Sequence, residues 1–173
     1  MAARTSTFRE NLKILVKDIE ERARIIRDAH FFAARRWDTV HLGLGLAAVL
    51  IGVVGGGSAG TGVGMAVNAS LAAVFATTAG LLAAASTFLR PSERIEQHKR
   101  AGDNWAALRD RAAELWALRI SQEDVDEATL EREYRELLKV KEEIQQGSPI
   151  VPTWAFDKSN RIRRKRAIPD GDM

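Results

Sequence analysis

Three hydrophobic patterns follow one another along this chain. The first is a stripe. Phe8, Leu12, Leu15, Ile19, Ala23, Ile26, His30 and Ala33 recur at steps of three and four with charged residues between them, which is one apolar face of an amphipathic helix. Thr7-Phe8-Arg9-Glu10 has the form of a capping box at its start. No Pro or Gly interrupts the pattern before Gly43, so the helix is expected to continue directly into the second pattern. The stripe suits packing on other helices or lying flat on a membrane; its mixed-sign polar face favours packing.

The second pattern is a run without Asp, Glu, Lys or Arg from Thr39 to Leu89, bracketed by Asp38 and Arg90. A membrane-crossing helix needs about 20 mostly apolar residues, so this run can cross twice if it turns in the middle. Gly55–Gly64, GGGSAGTGVG, provides the turn. The expectation is a transmembrane hairpin within 39–90, with spans about 40–57 and 65–89 and a loop about 55–64. A hairpin sheathed inside a soluble protein, inserting conditionally, is the competing reading. It would need a thick protein coat, which the short, charged remainder of the chain supplies poorly.

The third pattern begins at Pro91, where a kink or a helix restart is expected because proline cannot donate a helical hydrogen bond. Ile95, His98, Gly102, Trp105, Leu108, Ala112, Leu115 and Trp116 continue a helical stripe to Ile120. Trp105 falls about 15 residues beyond the span, roughly 20 Å along a helix. It is therefore expected in a bundle with the N-terminal stripe. Ser121-Gln122-Glu123-Asp124 reads as the opening of a further helix, with Val125, Ala128, Tyr134, Leu137, Leu138 and Ile144 on its apolar side, ended by Gly147 and Pro149. Ser148–Phe156 is expected to be an extended aromatic strap. The fold class is thus all-α: a two-transmembrane helical hairpin, 39–90, with a cytoplasmic bundle from segments 1–38 and 91–157 and a basic, disordered tail, 158–173.

Composition changes this picture only in placement. Charged residues make up 28% of the 173 and mean hydropathy is −0.19, but all the charge lies outside the central run. Arg35 and Arg36 precede the first span, Arg90, Arg94, Lys99 and Arg100 follow the second, and the loop has none. The positive-inside rule then places both termini in the cytoplasm. Trp37 stands where an interfacial anchor is expected. The acidic residues Glu10, Asp18, Glu20 and Glu21 argue against a signal peptide, so the hairpin itself would direct insertion.

Small residues recur every four positions: Ala48, Gly52, Gly56 and Gly60 in the first span, Ala72, Ala76, Gly80 and Ala84 in the second. Such faces let helices approach closely in lipid. One contact between the two spans explains part of this; two faces exceed what one hairpin needs, so a homo-oligomer is expected. His41 and Asn68 are the polar outliers, read as interfacial or as pore-lining. Arg161, Arg163, Arg164, Lys165 and Arg166 form a basic tail suited to anionic lipid or an acidic partner, or simply solvated. Nucleic acid is set aside, because no aromatic platform is interleaved with these charges.

The chain has no cysteine, and His30, His41 and His98 form no metal-binding spacing. No nucleophile triad or phosphate loop is suggested. The expectation is a non-enzyme without cofactor or metal.

The order of an amphipathic helix, two short-looped spans, FLRPSERIEQHKRAGDNWAALRD (Phe88–Asp110), a further helix and GSPIVPTWAF (Gly147–Phe156) resembles the SLATT family, the SMODS and SLOG-associating two-transmembrane effectors of bacteria. The likeness runs from about Arg22 to nearly the end of the chain. It rests most on Phe88–Arg94, on His98 with Trp105 and Leu108-Arg109, and on Pro149-Ile150, Pro152 and Trp154. The resemblance implies an inner-membrane effector of conflict systems such as anti-phage defence. A separate nucleotide-synthesising or nucleotide-sensing partner would trigger pore formation or membrane disruption, stopping growth or killing the cell. A passive two-transmembrane anchor that recruits cytoplasmic partners is the alternative; an ion transporter lacks the intramembrane charge it would need.

Overall fold

A computed structural model describes the backbone of residues 2–57, 69–122 and 124–167, and the side chains of 7–53, 73–122 and 124–165. Among the described residues every regular element is helical: α1 Ala2–Gly57, α2 Ala69–Leu89, α3 Pro91–Glu114, a π-helical turn Leu115–Arg119, α4 Glu127–Gly147 and α5 Thr153–Ala167. The chain divides into two compact units, Met1–Ala33 with Gln97–Met173, and Ala34–Glu96.

The first unit is a bundle built on the expected stripes. Leu12, Val16, Ile19 and Ala23 of α1 meet Trp105, Leu108 and Ala112 of α3 and Leu130 and Leu137 of α4 in one buried cluster, which also holds Leu115 and Ile120. The α1 stripe is rotated slightly from its expected register: Val16 is fully buried while Leu15 is 48% exposed. α5 lies along α1, where Ala155 is buried and the Ser159 hydroxyl donates to the Ile25 carbonyl at 2.9 Å.

Four boundaries in this unit differ from expectation. α1 begins at Ala2, so Thr7 is inside the helix and does not cap it. α4 begins at Glu127, not Ser121. The π turn ends where the Ile120 N–H donates to the Leu115 carbonyl at 2.9 Å, and the Ser121 hydroxyl donates back to Trp116 O at 3.0 Å, so Ser121 closes the preceding turn. Arg9 then holds the connection, donating to the carbonyls of Ile120 (3.0 Å), Gln122 (2.5 Å) and Val125. The cap of α4 is Asp126, whose carboxylate accepts from the Thr129 N–H at 2.8 Å; that bond holds its pKa below the usual carboxylate range.

The strap and tail are corrected in the same way. Only the stretch before Thr153 is outside a helix, and the basic segment expected to be disordered continues α5 to Ala167. The Pro152 carbonyl accepts from the N–H groups of Ala155 and Phe156 (3.0 and 3.2 Å) and starts that helix.

In the second unit, α1 continues without a break through Gly43, Gly45 and Gly52. α2 ends at Leu89 and α3 restarts at Pro91, as expected. The joint is Arg90, whose φ of 43° is left-handed and rare for a side chain of this size. Two stretches, within Thr7–Val53 and Ala73–Arg119, are long and apolar enough to cross a membrane, and among the described residues none in the most apolar part of either is fully buried. At a rise of 1.5 Å per residue α2 measures about 31 Å, against about 30 Å for a hydrocarbon core.

Candidate functional site

Two features stand out chemically, one in each unit. In the apolar unit, Leu46, Leu50 and Leu81 are 63%, 64% and 67% exposed. Half-covered apolar side chains include Leu44, Ala47, Ala48 and Ile51 on α1, and Phe75, Ala79, Leu82 and Ala85 on α2. The expected small-residue faces are mostly elsewhere. Ala48 is on the half-covered face, but Gly52, Ala76, Gly80 and Ala84 are exposed, and a Cβ built on Gly52 or Gly80 would meet nothing within 4 Å. The expected close approach within the chain is therefore not made at Gly52 or Gly80, because the larger Leu44, Ile51, Phe75 and Leu82 occupy the covered faces. Gly56 and Ala72 lie in α1 and α2. Gly60, Asn68 and most of the glycine-rich loop lie outside the described residues.

The polar side chains of α2 are satisfied within the helix. Thr77, Thr78 and Thr87 donate to the carbonyls of Ala73, Val74 and Ala83 at 2.8, 2.8 and 3.0 Å. Back-bonding of this kind removes the cost of placing a hydroxyl in an apolar medium. His41 is exposed on α1.

In the bundle the conspicuous feature is a histidine pair. His30 of α1 and His98 of α3 are 1% and 4% exposed, with Nδ1 atoms 3.1 Å apart and ring centroids 5.4 Å apart at 44°. A contact of this length needs one Nδ1 to carry a proton and the other to accept it, so the two rings share one hydrogen. Burial, then the charge of His98, lowers the pKa of His30 from 6.5 to about 4. No group of three or more metal-ligating side chains occurs among the described residues. The contact joins α1 to α3. Sequence reasoning missed it, because 68 residues separate the partners. The available signal was that both histidines sit on apolar stripes, where a polar side chain requires a partner.

The basic residues of α5 divide. Arg163 pairs with Glu21, and Lys158 stands over the Phe32 ring, 4.5 Å from its centroid; these two charges serve the bundle. Arg161, Arg164 and Lys165 are exposed, and Arg166 lies in the last turns of α5. Pro91 is buried at the start of α3. Comparison of the chain with family models, with curated proteins and with solved structures gives no match.

Proposed function

We propose that this chain is a membrane effector whose two apolar stretches form a transmembrane hairpin in the bacterial inner membrane, with both termini and the bundle in the cytoplasm. It oligomerises through small-residue faces and permeabilises the bilayer when a separate nucleotide-signalling or sensor partner engages the bundle. The observation that carries this reading is the uncovered apolar surface of α1 and α2, with Gly52 and Gly80 open to a neighbour. An exposed apolar surface of this extent marks an interaction with lipid or with another chain, and small residues are the usual means of close helix association in lipid. The resemblance to SLATT effectors supplies the conflict-system setting and the kind of trigger.

The test uses purified full-length protein and liposomes. Flotation with the vesicles together with dye leakage supports the proposal. Flotation with tight vesicles, even when the protein is driven to oligomerise, supports a passive anchor; failure to float overturns the membrane assignment. Replacing Gly52 and Gly80 with Leu is expected to preserve flotation and to reduce leakage at least tenfold. Unchanged leakage would exclude these faces from pore assembly.

A further inference from the structure

Within the bundle, a groove of about 440 Å³ runs beside α1, the end of α4 and the start of α5. That volume is in the range of small-molecule sites, roughly 300–1,000 Å³. Ile26, Trp105 and Phe156 make much of its lining apolar, and His30 also lines it. His30 is uncharged at neutral pH, because burial has lowered its pKa to about 4.

The charge on this groove is of one sign. Lys141 and Arg22 line it, and no carboxylate does. Two other grooves of similar size show the contrast: the one beside α1 and α5 has Glu20, Glu21 and Asp28, and the one beside α3 and α4 has four glutamates. Arg22 is partly committed to Asp18 at 2.8 Å, whereas Lys141 has no ion pair among the described residues. The Ser148 hydroxyl is already used, accepting from Trp105 Nε1 at 3.2 Å and donating to Ile144 O at 2.6 Å. Lys141, the Gln145 amide and the remaining N–H groups of Arg22 are left as the donors for a ligand. Ile150 also lines the groove and is 93% exposed; an occupant with an apolar body would cover it.

We propose that this groove binds a small organic anion with an apolar body, its head group on Lys141 and its body between Ile150, Phe156 and Ile26. A lone inorganic anion would leave the apolar walls bare, and a neutral apolar molecule would leave the lysine unanswered. The site belongs wholly to the bundle and does not depend on whether the chain permeabilises membranes.

The experiment uses the full chain with labelled isoleucine methyl groups, in lipid nanodiscs or, if it does not partition there, free in buffer. The Ile150 methyl signal is assigned through Ile150→Val. The probe is 2-naphthoate, with 2-naphthamide and inorganic phosphate as the neutral and body-less arms. The expected result is a saturable shift of Ile150 with 2-naphthoate, at least tenfold weaker binding of the amide, and none of phosphate. Lys141→Glu should weaken 2-naphthoate at least tenfold and Arg22→Ala less, while Lys139→Glu leaves it unchanged. Equal binding of acid and amide, saturation by phosphate alone, an unaltered affinity in Lys141→Glu, or no saturable shift would each overturn the assignment. Dye leakage measured on the same preparation reports separately on the effector reading.

Discussion

The two units use similar apolar side chains in opposite ways. In the bundle, Leu12, Val16, Leu108 and Leu130 are at most 5% exposed, whereas in the apolar unit Leu46, Leu50, Val53 and Leu81 are all above 60%. The bundle closes its core with its own chain. The pair α1 and α2 leaves some of its large side chains, Leu46, Leu50, Val53 and Leu81, facing outward, and a surface of that kind marks contact with lipid or with another chain. Hydrophobic content is therefore a poor guide to stability here; what matters is whether the chain supplies the cover.

The sharpest way to break this comparison is truncation in each unit. Leu130→Ala in the buried cluster should destabilise the bundle by about 2–5 kcal/mol, whereas Leu50→Ala in the apolar unit should change its stability by under about 1 kcal/mol. Denaturant titrations followed by tryptophan near-UV circular dichroism measure the difference. Equal losses would mean that the outward face of α1 is covered after all.

Acid separates the units next. The folded pKa of His30, about 4, is below its ordinary 6.5, so between these values the unfolded chain binds the proton more readily. The stabilisation is complete above pH 6.5 and is lost as pH falls toward 4, by about 3 kcal/mol in all at about 1.4 kcal/mol per unit. Bundle stability measured across that window should fall in the wild type, keep falling in His41→Gln, and flatten in His30→Gln.

One substitution tried in both units gives smaller effects of opposite sign. At Gly102 a Cβ would come within 3.1–3.2 Å of the half-buried Phe31 ring. Overpacking of about 1–3 kcal/mol outweighs up to about 1 kcal/mol of helix propensity, so Gly102→Ala should cost up to about 2 kcal/mol in thermal melts. At Gly52 there is open space, and Gly52→Ala should stabilise the helix by up to about 1 kcal/mol. The smallest effect is expected at Arg163–Glu21, where both side chains are 49% exposed; Glu21→Gln should cost no more than about 1 kcal/mol and less in high salt.

What the sequence made legible was whatever depends on near neighbours. The stripes, the uncharged run and the restart at Pro91 each follow from spacing or from one residue's geometry. The misreadings involve distant partners. Ser121 looks like a helix cap until Arg9, more than 110 residues away, takes the carbonyls of the connection. The segment after Lys158 reads as a solvated basic tail until Ser159, 134 residues from Ile25, docks it on α1. His30 and His98 belong to the same class. At Gly52 and Gly80 the four-residue spacing was visible, but which face the chain would cover depended on the bulk of Leu44, Ile51, Phe75 and Leu82 on the other faces of the same helices.

The threonines of α2 carry one more consequence. With the hydroxyls of Thr77, Thr78 and Thr87 turned back onto their own helix, a molecule meeting these threonines from outside encounters methyl groups without a spare donor. Recognition there would rely on contour and on whatever donor a partner offers to the hydroxyl lone pairs, and a single added methylene could spoil the fit.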